Sequence, residues 1–122
     1  MSDTFKNLAF QTVHCPVVGQ VDVVFGQYVS NKRVSISIRD HVTGEPIMTA
    51  TNNHSDMPCT EEQVWIKEYS ENLGVTRWLI LRGVIEEQPT AGFQGYHGVW
   101  HWQYKLTQQS LAAINATKGV QA

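Results

Sequence analysis

Five histidines and two cysteines are the side chains of this sequence best suited to chemistry. His14 adjoins Cys15, His54 lies five residues before Cys59, His97 and His101 are four apart, and His41 stands alone. A structural zinc site takes four nitrogen or sulfur ligands, usually from close sequence pairs. On a strand, residues four apart share a face but sit about 13 Å from each other. His97 and His101 therefore reach one ion only if the chain bends at Gly98. Adjacent strand residues face opposite ways, so His14 and Cys15 make no ready dyad. There is no GxSxG elbow. Asp56, Glu61 and Glu62 read as a solvated loop, with nothing apolar nearby to raise a carboxyl pKa. Gly92-Phe93-Gln94-Gly95-Tyr96-His97-Gly98 is rich in glycine, but it lacks the GK[ST] ending of a phosphate loop and leads into a strand. The residues thus assign no catalytic group, no metal ligands and no cofactor, and the expectation is a protein that is not an enzyme. A Cys15–Cys59 disulfide is chemically open, although free thiols are commoner in a reducing compartment.

Recognition is the remaining chemistry. Interfaces concentrate their binding energy in Trp, Tyr and Arg. The segment from Phe93 to His101 joins a glycine-rich loop to Phe93, Tyr96, His97, Trp100 and His101. Glu86 and Glu87 offer an acidic patch that suits a basic partner surface. These seven residues are the candidate partner-binding set. Nucleic-acid binding usually shows a basic stripe, whereas Arg33, Arg39, Lys67, Arg77 and Arg82 are dispersed and the formal net charge is −2. Trp100, Trp102 and Tyr104 on one strand face could still stack unpaired bases. A small module for single-stranded nucleic acid or a nucleotide is therefore the alternative reading.

The elements that must hold these residues belong to one domain, residues 1–122, because 122 residues of 13.8 kDa give a single adequate core. With 42% hydrophobic and 16% charged residues, wholesale disorder is excluded. No apolar run approaches the roughly 20 residues of a membrane-spanning helix. The start, Met1-Ser2-Asp3-Thr4-Phe5-Lys6, lacks the basic and apolar regions of a secretory signal, so a cytoplasmic location is expected.

Alternation of period two predicts strands over Leu8–Cys15, Val21–Val29, Val34–Arg39 and Ile47–Asn52, arranged as an antiparallel meander, with a short strand at Val64–Ile66. Val75, Trp78, Leu79 and Arg82 then follow helical spacing. They predict one helix over about residues 71–82, with Ser70 or Asn72 as N-cap, Glu71 in the first turn and Gly83 as a left-handed C-terminal cap. Residues 88–98 read as irregular, because Pro89, Gly92, Gly95 and Gly98 interrupt them. In the last strand Trp100, Trp102, Tyr104 and Leu106 point one way, and they are expected to anchor the core. The tail, 108–122, is expected to add a turn or two of helix from Ser110 and then fray. The fold class is α+β: an antiparallel, strongly bent sheet of five to seven strands with one short helix packed on one face. The expected core is Phe10, Val23, Phe25, Val34, Ile36, Ile38, Ile47, Trp78, Leu79, Trp102 and Tyr104. An edge strand such as the first could pair with its copy in a homodimer.

Between Asn31 and Lys105 the order of motifs resembles a family of small uncharacterised proteins of bacteriophages and other mobile elements. The matching stretches are Arg33-Val34-Ser35-Ile36-Ser37-Ile38, then Gly44-Glu45-Pro46-Ile47-Met48-Thr49-Ala50-Thr51-Asn52, then Trp65-Ile66-Lys67-Glu68-Tyr69-Ser70-Glu71-Asn72. A short helix, the extended Val84-Ile85 and a Gly-Phe segment complete the pattern. The resemblance carries no catalytic motif. It implies an accessory gene acting in an infected bacterium. With the absence of catalytic apparatus, the expected function is to bind and inhibit a host protein or immune complex, as in counter-defence or anti-CRISPR activity. Tyr96 to Tyr104, rich in Trp and His, departs from the family pattern and is where specificity of this chain would lie.

Overall fold

A computed structural model describes residues 5–12, 19–69, 72–95 and 98–121. Ten elements follow in chain order. They are β1 (Leu8–Ala9), β2 (Gln20–Gln27), β3 (Val34–Asp40), β4 (Pro46–Thr49), β5 (Thr51–Asn52), β6 (Gln63–Ile66), α1 (Val75–Leu81), β7 (Ile85–Gln94), β8 (Trp100–Leu106) and α2 (Gln108–Gln121). The class is α+β with antiparallel pairing throughout the described strands.

The single bent sheet with one helix is not what forms. Among the described residues eight strands make two open four-stranded sheets, ordered β1-β2-β3-β4 and β5-β6-β8-β7, and there are two helices. The division falls at Ala50. This residue is fully buried, donates its N–H to the Ile36 carbonyl of the first sheet and accepts from the Lys67 N–H beside the second. β4 and β5 flank it and pair with different neighbours, β3 and β6. One stretch of chain thus serves both sheets.

The alternation read in β3 holds: Val34, Ile36 and Ile38 are buried, and Ser35, Ser37 and Arg39 are not. They meet Val21 and Val23 of β2, Val64 and Ile66 of β6, and Val75, Trp78 and Leu79 of α1 in one cluster that runs across both sheets. Burying each such aliphatic side chain contributes about 1.5–3 kcal/mol. Phe10 packs edge-on to Trp78 with centroids 4.9 Å apart. Phe25, Ile47 and Tyr104 are only partly buried against the cluster. Trp102 is not core at all, being 41% exposed.

Helix α1 is shorter than expected because Gly74 stands before it with φ 96°. Gly74, not Asn72, holds the N-cap position. The Glu68 carboxylate accepts the N–H groups of Gly74 and Thr76 at 2.6 and 2.7 Å, while Asn72 is buried and donates its amide to the Thr49 carbonyl. Ser70 and Glu71 lie outside the described residues. Gly83, at φ 75°, ends the helix as anticipated: its N–H reaches Ile80 O and the next N–H, of Val84, reaches Leu79 O.

Two further departures bear on the site. Residues 88–94, expected to be irregular, extend β7 as an edge strand, where the N–H that Pro89 lacks need not be paired. Register shifts flank Pro89. The tail is a 14-residue helix, because Thr107 Oγ1 accepts the Ser110 N–H as an N-cap and Ser110 Oγ donates to the Val84 carbonyl at 2.6 Å. Among the described residues the first strand is only the two-residue β1 paired with β2; Phe10, Gln11 and Thr12 do not continue it as expected, and Val13, His14 and Cys15 lie outside the described residues. No described helix is long and apolar enough to cross a membrane.

Candidate functional site

The outer end of the β7–β8 hairpin presents a different aromatic surface on each side. Its register sets Gln94 opposite Trp100, Phe93 opposite His101 and Gly92 opposite Trp102. Alternation then sends Trp100 and Trp102 to one face, and Phe93 and His101 to the other.

On the first face the two indoles stack, with centroids 5.3 Å apart and planes 14° from parallel. They remain 53% and 41% exposed. A Cβ on Gly92 would collide with the Trp102 ring, so glycine here lets the indole lie flat across the edge strand. The same strand face does carry Tyr104 and Leu106 into the core, as expected from the sequence. The core ends before Trp102, and the indole pair overhangs it.

On the second face Phe93 and His101 stack at 4.9 Å with planes 23° apart. His54 comes edge-on to both, at 5.1 and 4.7 Å. Trp65, buried on the reverse side of β6 from Val64 and Ile66, stands 5.2 Å from Phe93, and Tyr69 meets His101 edge-on at 5.6 Å. Above this floor opens a cleft of about 880 Å³ lined by His54, Asp56, Tyr69, Phe93, Gln94, Gly95, Val99 and His101.

Burial pushes the His54 pKa below its ordinary value, the neighbouring His101 and Arg33 push it the same way, and Asp56 partly offsets them. The Arg33 guanidinium is fixed behind this histidine by the carbonyls of His54 and Met57, both at 2.7 Å. His54 Nε2, His101 Nδ1 and Trp65 Nε1 are buried without a hydrogen-bond partner among the described residues. Nearby, burial raises the Cys59 pKa against the opposing pull of Arg33, and its thiol donates to the Gln63 carbonyl. A thiol held protonated is a weak nucleophile. Among the described residues no group of three or more His, Cys, Asp or Glu is placed to hold a metal ion.

The structure brings Phe93 and His101 together and sets Trp100 on the opposite face. Glu86 and Glu87 are exposed on β7 but toward its other end, about 20 Å along the strand from Phe93. Tyr96 and His97 lie outside the described residues. Sequence reasoning weighed His54 only as a metal ligand and did not single out Trp65 or Tyr69 as site residues. Trp65 sits in an all-apolar triplet whose two buried faces periodicity cannot separate, and only pairing with β8 brings it beside His101. No family model, curated protein or solved structure matches this chain.

Proposed function

We propose that this protein works by binding a partner macromolecule through the exposed indole pair of β8, with a host protein of an infected bacterium as the target. The observation that carries the reading is the Trp100–Trp102 stack, half-exposed on the antiparallel β7–β8 pair. Trp is enriched among the few residues that dominate interface energies, and truncating such an anchor costs 2 kcal/mol or more, about 30-fold or more in affinity. The indoles are held in place before binding, which reduces the ordering cost of association. The phage-family resemblance supplies the setting: an accessory protein that binds and inhibits a host defence complex, anti-CRISPR activity being one form.

The test is affinity capture from an infected bacterium with the wild-type chain and with a Trp100→Ala/Trp102→Ala variant. A stoichiometric host protein, retained by the first and lost by the second, supports the reading. Equal retention by both contradicts it.

A further inference from the structure

The cleft on the other face of the hairpin has no part in indole docking, and its lining selects a ligand by charge. The rings of His54, Phe93 and His101 pack against one another, so they make a filled floor and leave no gap for a further ring. Tyr69 and Val99, each 36% exposed, add apolar surface along the cleft. The space above them, about 880 Å³, falls within the range of about 300–1,000 Å³ of ligand sites. A long alkyl stem that ends in a charge suits such a surface, because it covers apolar groups while its head stays at the wet edge.

The charge it would meet is negative. Among the described residues Asp56 alone brings a charge to the lining. It is exposed, and no hydrogen bond engages its carboxylate among the described residues. Its backbone is nevertheless pinned. The Met57 N–H donates to the His54 carbonyl and closes a turn around Asp56, and the Arg33 guanidinium donates to the carbonyls of His54 and Met57, both at 2.7 Å. Arg33 is turned to these carbonyls and does not line the cleft. Gln94 supplies a neutral acceptor, because its Nε2 donates to the Gly98 carbonyl and leaves Oε1 to accept. An anion would meet a carboxylate with no cation in the lining, whereas a cation meets two acceptors.

A guanidinium fits these features better than an ammonium. It is planar, more weakly hydrated and carries five donors, so it can lie on an aromatic floor and serve more than one acceptor. We infer that this cleft receives an arginine side chain of a partner polypeptide, with its stem over Tyr69 and Phe93 and its guanidinium on the Asp56 carboxylate. The cleft is open and larger than one side chain, which leaves room for the backbone that carries the arginine.

The experiment is titration of the full chain with N-acetyl-arginine methylamide, read by NMR on the ring signals of Tyr69, Phe93 and His101. These signals are expected to move saturably. The citrulline analogue, uncharged but of the same shape, is expected to bind about three- to fivefold more weakly, and Asp56→Asn is expected to weaken the arginine probe by the same factor, the upper part of the range for exposed ion pairs. Because Asp56 is exposed, its variant is expected to keep the wild-type unfolding midpoint. The lysine analogue is expected to bind more weakly than the arginine probe. Trp100→Ala/Trp102→Ala is expected to bind the probe as wild type does, which keeps this site's outcome separate from that of the indole pair. No saturable shift up to about 100 mM probe, equal binding of the citrulline analogue, or wild-type affinity in Asp56→Asn overturns the site. Tighter binding of the lysine analogue overturns the choice of a guanidinium, and tighter binding of free arginine overturns the choice of a polypeptide. Loss of binding in the folded indole variant would put the probe on the opposite face and overturn the assignment.

Discussion

Glycine 92 shows how a single residue type sets the surface that this protein offers. Its missing Cβ is what allows the Trp102 ring to cross the edge strand and stack on Trp100. Gly92→Ala should force that indole aside and cost about 1–3 kcal/mol, the usual range for overpacking. Chemical denaturation measures the loss, and adding Trp102→Ala should remove most of it, because the two positions couple directly. Equal costs with and without Trp102 would show that the glycine acts through the backbone alone.

His54 carries a second expectation at this scale. Its pKa lies below the ordinary 6.5 in the folded chain, chiefly through burial. The unfolded chain therefore binds more protons, and stability falls as pH drops below about 6.5 toward the folded value. Asp40, whose pKa is lowered by the N–H groups of Thr43 and Val42, acts in the same direction only around and below 3.8, so the two windows separate. Urea melts at pH 7.5 and 5.5 should show less stability at the lower pH, and His54→Asn should flatten that difference. An unchanged slope in the variant would mean that another group governs it.

At the scale of elements, what the sequence revealed and what it hid have distinct physical causes. Period-two alternation in β3 and the Gly83 cap of α1 are local signals, and both were readable. The residues that hold the start of α1 were not, since Glu68 reaches it from six and eight positions away. β7 was obscured because Pro89 and Gly92 are breakers in a central strand but tolerable at an edge. Helix α2 was underestimated because its N-cap, Thr107, also donates to the Gly83 carbonyl at 2.6 Å, a contact between segments that no window of sequence displays. Thr107→Val should therefore cost about 1–2 kcal/mol, combining a lost cap with an unsatisfied carbonyl. Thermal melting and helix content by circular dichroism check it, and an unchanged melting temperature would remove Thr107 from this role.

For the molecule as a whole, the decisive feature is the handover at Ala50, where one strand passes from the first sheet to the second. Most of the core residues that hydrophobic patterning named, Ile36, Ile38 and Leu79 among them, are buried, because burial on one face leaves a period, but more than half of the buried set was not named. Patterning misplaced Trp102 because an outward stripe and an inward stripe have the same period, and only the extent of the opposing layer distinguishes them. The cleft was hidden for a related reason: His54, Tyr69, Phe93 and His101 come from separate segments that only the second sheet and its flanking loops assemble. Ala50→Leu should strain both sheets at once and lower stability by about 1–3 kcal/mol or more. Loss of one sheet's signal before the other in denaturant would show instead that the two sheets unfold independently.

The central claim is that the protein acts by contact through Trp100 and Trp102. The most direct measurement is the dissociation constant of the captured host partner for wild type and for each single indole variant, by isothermal titration calorimetry. The account predicts a loss of about 30-fold or more for at least one of Trp100→Ala and Trp102→Ala, with unfolding midpoints close to wild type. Wild-type affinity in both variants would contradict it.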